Sequence, residues 1–191
     1  MNTLIWILLA TLFVSLISLI GIITISLKTR ILKKILSFLI ALSAGALLGG
    51  AFLHLIPEAL ENSTPITTFT FLLAGFILFL LIEKILHWRH CHDINCKVHT
   101  FAYMSLFGDA AHNFIDGLII AVSFMTNIQL GLTTTLAVAL HEIPQEIGDF
   151  GVLVHGGFSK IKALMYNFIS ALAAIVGGLI GFLLPLNNMA Q

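Results

Sequence analysis

Six long apolar runs alternate with five polar connections along the chain. The runs cover Leu4–Leu27, Ile35–Leu60, Thr67–Leu86, Phe101–Thr126, Leu130–Val154 and Ile161–Leu184. A helix needs about 20 apolar residues to cross the hydrocarbon core of a bilayer, so the pattern predicts six membrane-spanning helices in one domain over residues 1–191. The first run has no basic segment before it and no small-residue cleavage site, and it is too long for a signal-peptide core. It reads as a retained span. Composition agrees with this picture, because 59% of the residues are apolar and 9% charged, whereas about a quarter are charged in soluble domains.

The connections are Lys28–Lys34, Glu61–Pro65, Glu83–Thr100, Thr126–Gln129 and His155–Lys162. All nine Lys and Arg residues fall in the first, third and fifth of them or at their edges. Cytoplasmic connections carry the excess of basic residues, so these three are expected in the cytoplasm and both termini outside. The expected fold class is an all-α integral membrane protein of about six helices, multi-pass in a cell membrane. The short connections favour a prokaryotic inner membrane. No nucleic-acid partner and no organic cofactor is expected.

Acidic residues follow a different pattern. Asp109, Asp116, Glu142, Glu146 and Asp149 lie inside the fourth and fifth spans, where each central charge costs about 2.5–3.5 kcal/mol on insertion scales. Neither of these two spans contains a Lys or Arg to pair with them. The compensating charge must come from protons or a bound cation. Neighbouring imidazoles and amides favour a divalent transition metal, since protons need only carboxylates.

Helical spacing sharpens this reading. His112 and Asp116 are four apart and share one helix face, with Asn113 beside them and Asp109 and Ser105 extending the stripe. His141 and Gln145 repeat that separation in the fifth span, with Glu142 adjacent. Two helices joined by a few residues are antiparallel neighbours, so the two stripes can face each other. Pro144 crowds the carbonyl of Leu140 and removes an amide hydrogen, which predicts a kink beside His141. Gly45 with Gly49, and Gly177 with Gly181, form small-xxx-small pairs that allow close helix packing.

"HNFIDG" at His112–Gly117 followed by "HEIPQEIGDF" at His141–Phe150 resembles the paired signature of the ZIP metal-ion transporters, the Zrt-, Irt-like proteins. The apolar "GALLGGAFLHLIPEAL" at Gly45–Leu60 and the histidine-bearing third connection resemble the same family. The resemblance implies a helical bundle with a binuclear metal site in the transport pathway. One ion would take His112, Asp116, His141 and Gln145, and the second Asn113, Asp116 and Glu142. It leaves Glu146 and Asp149 without an assigned role and puts His54 and Glu58 at the pathway entrance. Family members generally have eight spans and six are read here, which implies a truncated product or an abbreviated member completed by homodimerisation.

The implied function is transport of divalent transition metals into the cytoplasm, with Zn²⁺ as substrate and Fe²⁺, Mn²⁺ or Cd²⁺ as alternatives. Two rivals remain at this point. One is a transport-incompetent metal-binding sensor or fragment. The other is an intramembrane zinc metalloprotease, since "HEIPQ" approaches the H-E-x-x-H motif, but Gln145 stands where the second histidine would be. The third connection also carries His87, His90, Cys91, His92, Cys96 and His99. Cytosolic reducing conditions argue against a disulfide there, and the cluster is a candidate receiving or sensing site for metal.

Overall fold

A computed structural model describes residues 2–22, 38, 41, 44–45, 48–90 and 98–184, without the side chains of residues 54 and 86–90. Every regular element among the described residues is helical. Helix α1 spans Thr3–Ile17 and ends in a 3₁₀ turn at Ser18–Ile20. A π-helical turn at Ala51–Leu55 leads into α2 (Ile56–Asn62). The remaining helices are α3 (Pro65–His90), α4 (Thr100–Thr126), α5 (Ile128–His155), α6 (Lys160–Ala171) and α7 (Ala173–Leu183).

Local sequence accounts for several of these boundaries. Asn127 alone separates α4 from α5, with an extended φ of −166°. Its amide donates to the Ser123 carbonyl at 3.1 Å, and its side chain accepts from the Leu130 amide at 2.8 Å. One residue therefore closes one helix and caps the next, which forces α4 and α5 side by side and antiparallel. At the other end, Gly157 takes a φ of 103°, a conformation open to glycine, and turns the chain into α6. The Ser159 side chain then accepts from the Lys162 amide.

The fourth and fifth apolar runs fold as helices α4 and α5, of 27 and 28 residues. Helix α5 runs on through Pro144, the position of the expected kink, without a break. The sixth expected span is a 24-residue apolar stretch, Lys160–Leu183, but its helical bonding is interrupted at Leu172. The Ala171 carbonyl at this break accepts a hydrogen bond from Ser15 Oγ of α1 at 2.7 Å. Both residues are fully buried. Ser15→Ala is expected to cost about 0.6–2 kcal/mol, the range for interhelical hydrogen bonds in membranes. A thermal unfolding midpoint in detergent that does not fall would show that the break is held by other contacts.

Helices α1, α4, α5, α6 and α7 pack into a bundle, with α4 against α7 the most extensive contact. One apolar cluster gathers Ile7 and Val14 of α1 with Ile120 and Phe124 of α4. A second, toward the opposite ends of α4 and α5, gathers Ala102, Phe150, Leu153 and Ala163. The polar stripes lie on the stretches of α4 and α5 between these clusters. Among the described residues, helix α3 makes its main contacts with α4 and α2, and most of its large apolar side chains are exposed, including Phe71, Leu73 and Phe76. In a bilayer such a surface faces an apolar solvent.

Candidate metal centre

Antiparallel packing of α4 and α5 brings together His112, Asp116, His141 and Glu142, one donor atom from each lying within 4.8 Å of the others. His141 Nε2 is 3.0 Å from Asp116 Oδ2 and 3.2 Å from His112 Nε2. His112 Nε2 is 3.4 Å from Glu142 Oε1 and 3.6 Å from Asp116 Oδ2, and His141 Nε2 is 3.7 Å from Glu142 Oε1. Zinc bonds of about 2.0–2.1 Å in tetrahedral array set donor atoms about 3.3 Å apart. Five of the six donor pairs therefore scatter around the edge length of a tetrahedral zinc site.

Solvent exposure is graded across this cage. The side chains of His141 and His112 are 43% and 25% exposed, whereas Asp116 is 6% and Glu142 0% exposed. The open side faces a cavity of about 660 Å³, lined by both histidines, Asp116 and Gln145 and, further along α5, by Thr133 and Thr134. Gly45 and Gly49 line it as well, and a Cβ added at either would meet nothing within 4 Å. The expected packing role of that pair is thus corrected: among the described residues the two glycines border open space. Gly177 and Gly181 do pack closely, against the backbone of α4 and the side chain of Ala121.

Both Glu142 carboxylate oxygens are buried with no hydrogen-bond partner, even though Oε1 lies within electrostatic contact of both imidazoles. Gln145, 2% exposed, has an unpartnered Nε2. Asn113 is also fully buried, but its Nδ2 turns to Asp109, leaving Oδ1 unpartnered. Glu146 accepts from Asn167 of α6, and Asp149 accepts from Ser105 at 3.5 Å. Sequence reasoning missed Asn167 and Ser170, which from α6 meet Glu146 and Asp109 respectively. Their signal was a polar pair three residues apart in an otherwise apolar run.

Of the outlying candidates, Glu58 is exposed on α2 and stands outside the four-residue group. His99 is exposed, its amide donating to the Gly156 carbonyl at 2.8 Å and its ring stacking on Phe101. Cys91, His92 and Cys96, and the side chains of His54, His87 and His90, lie outside what the structure describes.

Comparison with known proteins points the same way. The ZIP zinc transporter family matches residues 2–99 and 92–190. Zinc transporter YKE4 of Saccharomyces cerevisiae is 34% identical over 167 residues, covering 76% of this chain and 48% of that protein. Zinc transporter ZIP13 of Mus musculus is 31% identical over 189 residues, covering 76% of this chain and 51% of its own. Zinc transporter ZIP10 of Danio rerio is 48% identical over 82 residues, covering 43% of this chain and 10% of its own. The chain spans about half the length of the first two relatives. No solved structure matches it.

Proposed function

The chain belongs to the ZIP zinc transporter family, and from that premise we propose that it passes divalent transition metal, zinc foremost, across the membrane through the cage between α4 and α5. The observation that carries this reading is the near-tetrahedral spacing of two imidazoles and two carboxylates inside a bundle. Two carboxylates and a divalent ion form a neutral complex, which relieves the cost of charge in an apolar interior. Four-coordinate spacing suits Zn²⁺ or Cd²⁺ better than Mn²⁺, which prefers six oxygen donors.

A second ion takes Asn113, Asp116 and Glu142, sharing the carboxylates with the first, and Gln145 is an additional neutral ligand at the cavity. The cavity reaches the cage from the Asn127 side of α5. With the basic connections in the cytoplasm, that side is external, so metal enters from outside and leaves inward. A metalloprotease is disfavoured because the second imidazole comes from α4, rather than from the fourth residue after His141. The relatives reported above are all eukaryotic, so a prokaryotic membrane for this chain rests on its short connections alone.

The test is uptake of Zn²⁺ into proteoliposomes. Saturable uptake is expected, falling to background in His112→Ala, which removes the imidazole nearer Glu142. Zinc bound to the wild type at these residues with no uptake would replace the transporter by a metal-binding protein of the same fold.

A further inference from the structure

Behind the cage runs a hydrogen-bonded chain that ligation by the four donors does not explain. Asn113 donates from Nδ2 to Asp109 Oδ1 at 2.9 Å and to the Asp109 backbone carbonyl at 3.1 Å. The other carboxylate oxygen, Oδ2, meets the hydroxyl of Ser170 from α6, which also reaches the carbonyl of Asn167. An amide nitrogen carries two hydrogens, and the two oxygens of Asp109 take both. Turning the amide over would set its oxygen against those acceptors with no hydrogen between them. Its orientation is therefore fixed, and Oδ1 is left buried with no hydrogen-bond partner.

Orphaned acceptors of this kind are rare in folded proteins, and here Asn113 Oδ1 and both Glu142 oxygens share that condition. A cation is a partner for such acceptors; the nearest imidazole nitrogens stand 3.4 and 3.7 Å from Glu142 Oε1. We propose that Asp109, braced by Ser170, is a positioning residue that turns Asn113 so that its oxygen, not its nitrogen, is offered to the second metal ion. Helix α6 thereby takes part in the site without supplying a ligand. This inference rests on the two-ion reading given above.

The probe is Cd²⁺ alone, titrated calorimetrically into the full chain in detergent, with bound ions counted by elemental analysis. The wild type takes two ions. Asp109→Ala weakens the second by about 10–100-fold, as removal of a partner behind a metal ligand does, and leaves the first at wild-type affinity. Asp109→Asn keeps a carbonyl oxygen for Asn113 to donate to and recovers the second ion at least in part, a rescue that a general packing role does not give. Retention of the first ion reports an intact fold. Should Asp109→Ala fail to fold, Ser170→Ala decides, with a smaller loss confined to the second ion. Wild-type affinity for both ions in Asp109→Ala, or in Ser170→Ala if that variant has to decide, overturns the positioning role and leaves the two-ion reading standing. A single ion in the wild type overturns the two-ion reading itself, and the positioning role with it.

Discussion

Glu142→Met is expected to abolish zinc binding and, at the same time, to raise the stability of the metal-free chain. Glu142 is fully buried and neither carboxylate oxygen has a hydrogen-bond partner in the protein. A buried polar group left without a hydrogen-bond partner costs about 1–3 kcal/mol, and a well-packed apolar side chain of similar volume removes that cost. The two imidazoles it faces are not stranded by the change. His141 keeps Asp116 at 3.0 Å, His112 keeps it at 3.6 Å, and both rings reach solvent. With metal present the sign reverses. One of two anionic donors is gone, the bound complex carries an uncompensated charge in the bundle, and loss of a buried ionic partner costs about 3–5 kcal/mol, a hundredfold or more in affinity. Zinc should then no longer raise the unfolding midpoint, since only a ligand that binds the folded state does so. Thermal unfolding with and without Zn²⁺ checks both halves. A metal-free variant less stable than the wild type would mean that Glu142 holds the bundle together rather than waiting for a cation.

The chemistry of the cage was legible because helical periodicity is local: His112 with Asp116, and His141 beside Glu142, follow from a 3.6-residue repeat and a short connection. Their meeting at tetrahedral spacing needed only that α4 and α5 be antiparallel. What periodicity does not carry is the register of helices distant in sequence. Asp109 read as an outward extension of the ligand stripe, yet it is 4% exposed and gripped from α6, 61 residues away. Asn113 read as a ligand like its neighbours, but the direction of its amide depends on Asp109, and no spacing rule specifies that. Pro144 does not end the helix, since α5 continues past it: proline removes one hydrogen bond, and packing on both sides sustains the rest. The interruption at Leu172 has no proline or glycine to announce it. Its visible correlate is Ser15, which reaches the freed carbonyl from the far end of the chain.

Gly117→Ala is expected to damage both stability and zinc affinity, though it adds one methyl group and touches no ligand. A Cβ at Gly117 would lie 2.0 Å from the Ala174 carbonyl oxygen and 2.8 Å from the Gly178 nitrogen. A Cβ at Gly177 would lie 2.0 Å from the Phe114 carbonyl oxygen. Carbon and oxygen approach comfortably to about 3.3 Å, so either methyl must push α4 and α7 apart by roughly 1 Å. The obstacles are backbone atoms, which no rotamer change can move aside. Overpacking of this kind costs about 1–3 kcal/mol or more. The consequence reaches the metal because Phe114 and Gly117 stand on the same helical turns as His112 and Asp116, whose donors must stay within 4.8 Å of those on α5. Moving α4 off α7 shifts two of the four donors relative to the other two. Gly75→Ala in α3 is the control: its Cβ meets nothing within 4 Å, and an alanine in an exposed helix is neutral or slightly favourable. Unfolding midpoint and zinc affinity should both fall for Gly117→Ala and hold for Gly75→Ala. Wild-type values in both variants would show that α4 and α7 slide freely past each other, and that the cage owes its shape to α5 alone.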